Sequence, residues 1–208
     1  MANRTTDVHM PTIAFIGAGR AANVVGAALA RAGYDVTAVA SRTQASADAT
    51  AAAIAAAGDG GCAAMASQDA VDAADLVVIT TSDGAIGEVA GALRWREGQA
   101  VLHCSGALGA DVLAPALAQG AAIGSWHPFQ TLVGTAELNG VTFGIEADAE
   151  LYETLAEMAR AVGGTPLAVP AAARVLYHAA SVLACGYLTT LLREARRVWE
   201  TAGLPEEA

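Results

Sequence analysis

The chain contains no lysine: all 11 of its basic residues are arginine. Schiff-base and lysine general-base chemistry are therefore excluded. Cysteine is scarce too. Cys62, Cys104 and Cys185 lie far apart with no CxxC pair, so no disulfide framework and no metal site are expected, and a reducing cytoplasm is the expected compartment. Positive charge is in deficit. A formal net charge of −10 opposes binding to a nucleic-acid backbone, which requires Lys and Arg to displace condensed counterions. Charged residues make up only 15% of the chain and apolar residues 54%, much of it alanine, a composition that is neither disordered nor that of a membrane bundle. Met1 to Pro11 has no apolar h-region, so no secretory signal is expected. Ala171 to Leu192 is apolar over about a bilayer's width, yet Arg174 and His178 inside it would be costly in lipid, so a buried helix of a soluble protein is expected rather than a membrane span.

What is present is an alternation of strands and helices. Thr12 to Ile16 reads as a buried strand, Gly17 to Gly19 as a turn, Ala21 to Ala32 as a helix stopped by Gly33, and Asp35 to Ala40 as a second strand, which together form a βαβ unit. Further helices are expected over Ser46 to Ala57, Gly84 to Leu93, Ala110 to Ala118 and Ala149 to Val162. Strands are expected at Cys62 to Ala66, Leu76 to Thr80, Ala100 to Cys104, Ala122 to Trp126, Val141 to Glu146 and Thr165 to Val169. This order predicts an α/β fold with a doubly wound parallel (Rossmann) sheet over residues 1–169. After Pro170 the pattern turns helical to Ala202. Residues 170–208 are expected to be the first long helix of an all-α C-terminal domain, truncated in this chain.

Gly17-Ala18-Gly19-Arg20-Ala21-Ala22 fits the G-x-G-x-x-G/A dinucleotide fingerprint, and it sits after a strand and opens a helix as the motif requires. The end of the second strand usually carries an acidic residue in NAD-specific sites; here it is Ser41-Arg42-Thr43, whose guanidinium and hydroxyls suit a 2′-phosphate. NADP is the expected cofactor, with NAD second. Thr81, Ser82 and Asp83 follow the fourth strand and are expected to meet the cofactor or to cap the next helix. Ser105 and His127 end the fifth and sixth strands and should open on the same crevice. His103 reads better as a core histidine. Arg174 and His178, four apart on the last helix with Tyr177 beside them, share a face. Arg174 suits a substrate carboxylate or a structural ion pair, His178 and His127 proton transfer, and Ser105 the reacting oxygen. A hydrolase using Ser105 with His127 lacks the G-x-S-x-G elbow.

The segments GAGRAA, HCSGALGADVL, GSWHPFQTL, FGIEAD and YHAASVLACGYL resemble Rossmann-like bacterial proteins with a second, all-helical domain. These are similar in plan to ketopantoate reductase, pyrroline-5-carboxylate reductase and the 6-phosphogluconate and β-hydroxyacid dehydrogenases. The resemblance runs from about Thr12 to Gly203. It implies an NADP-dependent reductase of a small oxo or imino carboxylic acid, a ketopantoate-like acid being one candidate, with the crevice closed by the helical domain in a homodimer. Related dehydrogenases commonly carry Lys, and often Asn, where this chain has Arg174 and His178. An arginine stays charged, so orientation rather than proton donation is its expected role. The other reading is a dinucleotide-binding or redox-sensing module without catalysis, which the missing lysine favours.

Overall fold

A strand covered on both faces must be apolar at every position, and four-residue runs of that kind set the centre of this sheet. The computed structural model describes residues 10–132 and 136–205; most of the polar leader, and the ends of both expected segments, lie outside the described residues. Strands β1 (Ile13–Ile16) and β4 (Leu76–Ile79) are fully buried. They are flanked by β2 (Val36–Ala40) and β3 (Ala63–Ala64) on one side and by β5 (Ala100–His103), β6 (Ala122–Pro128), β7 (Thr142–Glu146) and β8 (Thr165–Ala168) on the other. The order β3-β2-β1-β4-β5-β6-β7-β8 places the reversal of winding between β1 and β4, where a doubly wound sheet opens its ligand crevice.

Alternate side chains divide the core in two. Ile13 and Phe15 face a cluster with Leu29, Ile54, Trp126 and Leu155, while Ala14 and Ile16 face Val77, Ile79, Ile86 and Leu113. Helices α1 (Arg20–Arg31), α2 (Gln44–Ala55) and α6 (Ala149–Ala161) cover the first face. The second is covered by α3 (Ser67–Asp72), α4 (Asp83–Ala92) and a 3-10 turn, Ala110–Leu113, that runs into the short α5 (Ala114–Leu117). The single helix expected over Ala110 to Ala118 is thus split, because Pro115 has no N–H to continue a ladder and fits only a first turn. Helix α3 is one the sequence reading missed.

One departure shapes the site. All pairs from β3 through β6 are parallel, but β7 runs antiparallel to β6. Strand β6 is also two residues longer than expected, and its two halves serve different neighbours. Ala122 to Ser125 pair with β5, whereas Ser125 to Pro128 pair with β7. The β7 and β8 pair therefore stands beyond the carboxyl ends of the parallel strands as a wall, and His127 projects with it. Trp126 anchors the wall by stacking on Phe143, 4.4 Å between ring centres, and by donating to the Leu155 carbonyl at 3.0 Å.

The C-terminal helix is not buried as expected. A 3-10 turn (Ala171–Ala173) leads into α7 (Arg174–Ser181), a π turn (Val182–Tyr187) and α8 (Leu188–Thr201). The stretch Ala171–Thr201 is long and apolar enough to cross a membrane by length and composition, but only 6% of its apolar window is buried. One line of side chains, Arg174, Tyr177, His178 and Ser181, meets the wall, while Leu176, Leu183, Leu188, Leu191 and Leu192 remain exposed. Among the described residues nothing covers its second face.

Candidate functional site

One half of the candidate site is built by the glycine turn between β1 and α1. Gly17 has φ +118°, and a Cβ there would lie 2.7 Å from the Thr80 carbonyl carbon, so backbone conformation and the loop after β4 both demand glycine. Thr80 ties the two loops by donating to the Gly17 carbonyl at 2.9 Å. Gly19 differs. It is extended (φ −92°, ψ −169°), and a Cβ would meet nothing nearer than the Thr80 oxygen at 4.0 Å. The chain itself does not need glycine there; the room it leaves faces a cleft of about 600 Å³.

That cleft is lined by Gly17, Ala18, Gly19, Ser41, Arg42, Ser46, Thr81 and Ser82, among others. Arg20 and Ala21 begin α1 and are not among the residues lining the cleft, and Ala22 is fully buried. Arg42 is exposed, and among the described residues no hydrogen bond or ion pair holds its guanidinium. Thr43 turns away, donating to Ser46 at 2.7 Å. Ser82 takes the N-cap position of α4, its carbonyl accepting from the Ala85 N–H at 2.8 Å but its side chain making no cap bond, and Asp83 opens the first turn. A second cleft, about 680 Å³, lies between α1 and the start of the chain segment leading to β7, lined by Asn23, Arg31, Leu138 and Val162. It is remote from the strand ends, where the reactive side chains gather, and so is not part of this site.

Those side chains come from three elements. His103 at the end of β5 is fully buried, with Nε2 3.0 Å from the Gly109 carbonyl and Nδ1 accepting from the Ser105 N–H at 3.1 Å. It is the core histidine the sequence suggested, and burial lowers its pKa from the ordinary value. Ser105 is spent on its own loop: Oγ accepts from the Ala107 and Leu108 N–H groups at 3.2 Å each. The residue that meets the histidines is instead the next one. A Cβ on Gly106 would lie 2.7 Å from both His127 Nε2 and His178 Nδ1, so these nitrogens converge on one point of backbone. They are no farther apart than twice that distance.

His127 reaches this point from β6, His178 from α7, their ring centres 6.3 Å apart. The other nitrogen of His127, Nδ1, lies 2.8 Å from the Tyr177 hydroxyl. Burial first, then the neighbouring charges of His178 and Arg174, push His127 down to about 4, while burial pushes Tyr177 up to about 12. Arg174 is buried and bonded through Nε and Nη2 to Glu146 at 3.2 and 2.6 Å. Its Nη1, like His178 Nδ1, is buried with no hydrogen-bond partner among the described residues. The structure thus brings His127, Arg174 and His178 together. It adds Tyr177, Glu146 and Gly106, of which only Tyr177 was signalled, by its place beside Arg174 and His178 on one helix. Among the described residues no group of His, Cys, Asp and Glu is placed to hold a metal ion.

Comparison with known proteins agrees with this layout. Residues 2–128 match the Rossmann-like domain family, and residues 141–208 match a domain of unknown function, DUF2520. No functionally curated protein matches the chain. Among solved structures, a Bacteroides fragilis protein provisionally assigned as an NADP oxidoreductase is similar with a TM-score of 0.76 and 23% identity, over 94% of this chain and 74% of that one. A pyrroline-5-carboxylate reductase from Coxiella burnetii gives 0.70 and 18%, over 95% and 73%. A reductive aminase from Aspergillus terreus, in complex with NADPH and ethyl-5-oxohexanoate, gives 0.69 and 18%, over 94% and 68%. At such identities the likeness shows the shared fold.

Proposed function

The chain belongs to the Rossmann-like domain family, and on that premise we propose that it is an oxidoreductase moving a hydride between a nicotinamide dinucleotide, NADP(H) before NAD(H), and a small oxo or imino carboxylic acid. The observation that carries this reading is Gly19: a position where the chain has room for a side chain, lacks one, and faces the cleft at the switch point of the sheet. A pyrophosphate approaching the start of α1 explains that room. Arg42, unengaged at the cleft rim, is placed for a 2′-phosphate, and Ser41, Thr81 and Ser82 offer hydroxyls to the riboses.

In the reducing direction hydride goes to the substrate carbon and a proton to its oxygen or nitrogen. His127 and His178 are the groups we assign to that proton, and Arg174 Nη1 to the substrate carboxylate, with Glu146 holding the guanidinium in place. Ser105 contributes by fixing the loop that presents Gly106. The pyrroline-5-carboxylate reductase and the NADPH-bound reductive aminase of the same fold support a carbonyl or imine substrate, of which a ketopantoate-like acid is one candidate. The exposed apolar face of α7 and α8 is the surface we assign to a second copy in a homodimer, and the cytoplasm is the compartment we assign.

A second reading, a dinucleotide-binding module without catalysis, is favoured by the commitment of Arg174 to Glu146, which leaves the site nearly neutral. Titration with NADPH and NADH, followed by a panel of 2-oxo acids and cyclic imines, separates the two. NADPH is expected to bind more tightly, Arg42→Ala to weaken NADPH by about 10- to 100-fold, the worth of a charged hydrogen bond, and NADH hardly at all. Tight NADPH binding with no turnover on the panel selects the module. Binding of neither nucleotide removes both readings.

A further inference from the structure

His127 lies in a slot with a glycine at either end. At Gly144, its cross-strand partner on β7, a Cβ would collide with the Tyr177 hydroxyl; at Gly106 it would collide with His127 Nε2 and Cε1 and with His178 Nδ1. An alanine at either place would push apart groups that the chain holds together. The two missing side chains thus let a tyrosine hydroxyl reach one ring nitrogen, while the other ring nitrogen comes up beside a second imidazole.

The direction of the hydrogen bonds follows from counting donors. The Tyr177 hydroxyl has one proton and two acceptors within reach, the His127 carbonyl and His127 Nδ1. The His127 carbonyl is 3.5 Å away, at the limit of a hydrogen bond, whereas His127 Nδ1 is at 2.8 Å. The phenol proton therefore goes to Nδ1, and a neutral imidazole accepting there must carry its proton on Nε2. Edge contacts of Tyr177 with the His127 and Phe129 rings, centres 5.6 and 5.5 Å apart, and the Arg174 guanidinium over its face fix the phenol.

We infer that Tyr177 is a positioning residue that holds His127 as its neutral Nε2–H tautomer, so that His127 presents an N–H to the reacting oxygen or nitrogen of the substrate. His178 Nδ1, buried and unpartnered, faces the same place and completes a two-imidazole cradle. In the reduction, the substrate heteroatom receives the Nε2 proton as hydride reaches its carbon, and the Tyr177 proton moves to Nδ1, which restores a neutral imidazole at the cost of a tyrosinate that solvent must reprotonate. Before either proton moves, the same N–H polarises the carbonyl or imine by hydrogen bonding. His127 stays neutral near pH 7 because burial holds it far below the ordinary histidine value. This assignment rests on the reductase reading for its substrate but not for its tautomer.

The two are tested apart with the full chain labelled with ¹⁵N-histidine. Two-bond proton–nitrogen correlations at pH 7, assigned with His127→Asn, are expected to show His127 protonated on Nε2 alone. Tyr177→Phe is expected to convert that signal to a tautomer mixture and to lower kcat about tenfold, the worth of one hydrogen bond, with KM within twofold. A melting curve confirms that the variant is folded. His127 protonated on Nδ1 or on both nitrogens, or a Tyr177→Phe variant with an unchanged tautomer, overturns the inference. A correct tautomer in a chain that turns over no oxo or imino acid overturns the reductase reading instead.

Discussion

Gly17 and Gly19 stand two residues apart in one turn, yet replacing each with alanine should have opposite consequences. At Gly17 the new Cβ would sit 2.7 to 2.9 Å from three backbone atoms of Thr80 and Thr81, which have no flexible end to yield, and the φ of +118° is one that alanine rarely adopts. Backbone strain and overpacking each cost about 1–3 kcal/mol, so roughly 3 kcal/mol together is a fair expectation. For a chain of this length that lowers Tm by about 6–12 °C. At Gly19 the backbone is ordinary extended chain and the nearest atom is 4.0 Å away, so stability should stay within about 0.5 kcal/mol. The Cβ would instead occupy the approach of the pyrophosphate, and NADPH affinity should fall at least about tenfold, or about 1.4 kcal/mol. Ligand-free thermal melts and fluorescence titrations with NADPH measure the two effects separately. A Gly19→Ala chain that binds NADPH like the parent would show that the open room is not ligand room. A Gly17→Ala chain that melts with the parent would show that the crowding against Thr80 is not real.

Acid should destabilise the chain through His127. In the folded state it titrates at about 4, held down by burial and by His178 and Arg174 against the opposing pull of Asp83, and unfolded at about 6.5. Between those values the unfolded chain binds more protons, so stability is level above pH 6.5 and falls as pH drops towards 4, by roughly 3 kcal/mol at most. Urea midpoints across that range should slope less in His127→Asn, and parallel slopes would refute the assignment. Glu146→Ala leaves the Arg174 charge, 4% exposed, without its partner and should cost about 3 kcal/mol; a melt within a degree of the parent would mean the pair is not structural.

The glycine-turn half of the candidate site was legible because its signals are local. A buried strand, the glycine turn and α1 lie within twenty residues, and the structure moves their predicted bounds by only a residue or so. The double burial of β1 and β4 also writes itself as unbroken apolar runs. What was not legible depends on long separations. Tyr177 meets His127 across 50 residues and Arg174 meets Glu146 across 28, and no spacing rule encodes either. The antiparallel turn of β7 was hidden for a related reason: an apolar strand packed on both faces reads the same whichever way it runs. The last helix was misjudged because apolarity tells that a surface needs covering, not that this chain covers it.

The π turn at Val182–Tyr187 bears on how this helix could change over time. A π turn holds one residue more than α-helical winding would use, and each residue advances the winding by about 100°. It is the structural form of a single inserted residue. Substitutions in α8 alter the chemistry of its exposed stripe, Leu188, Leu191 and Leu192, without touching Arg174, Tyr177 or His178 upstream. Deleting one residue within the turn would return the helix to α winding and shorten it slightly, while the stripe of α8 and the three side chains at the strand ends kept their directions.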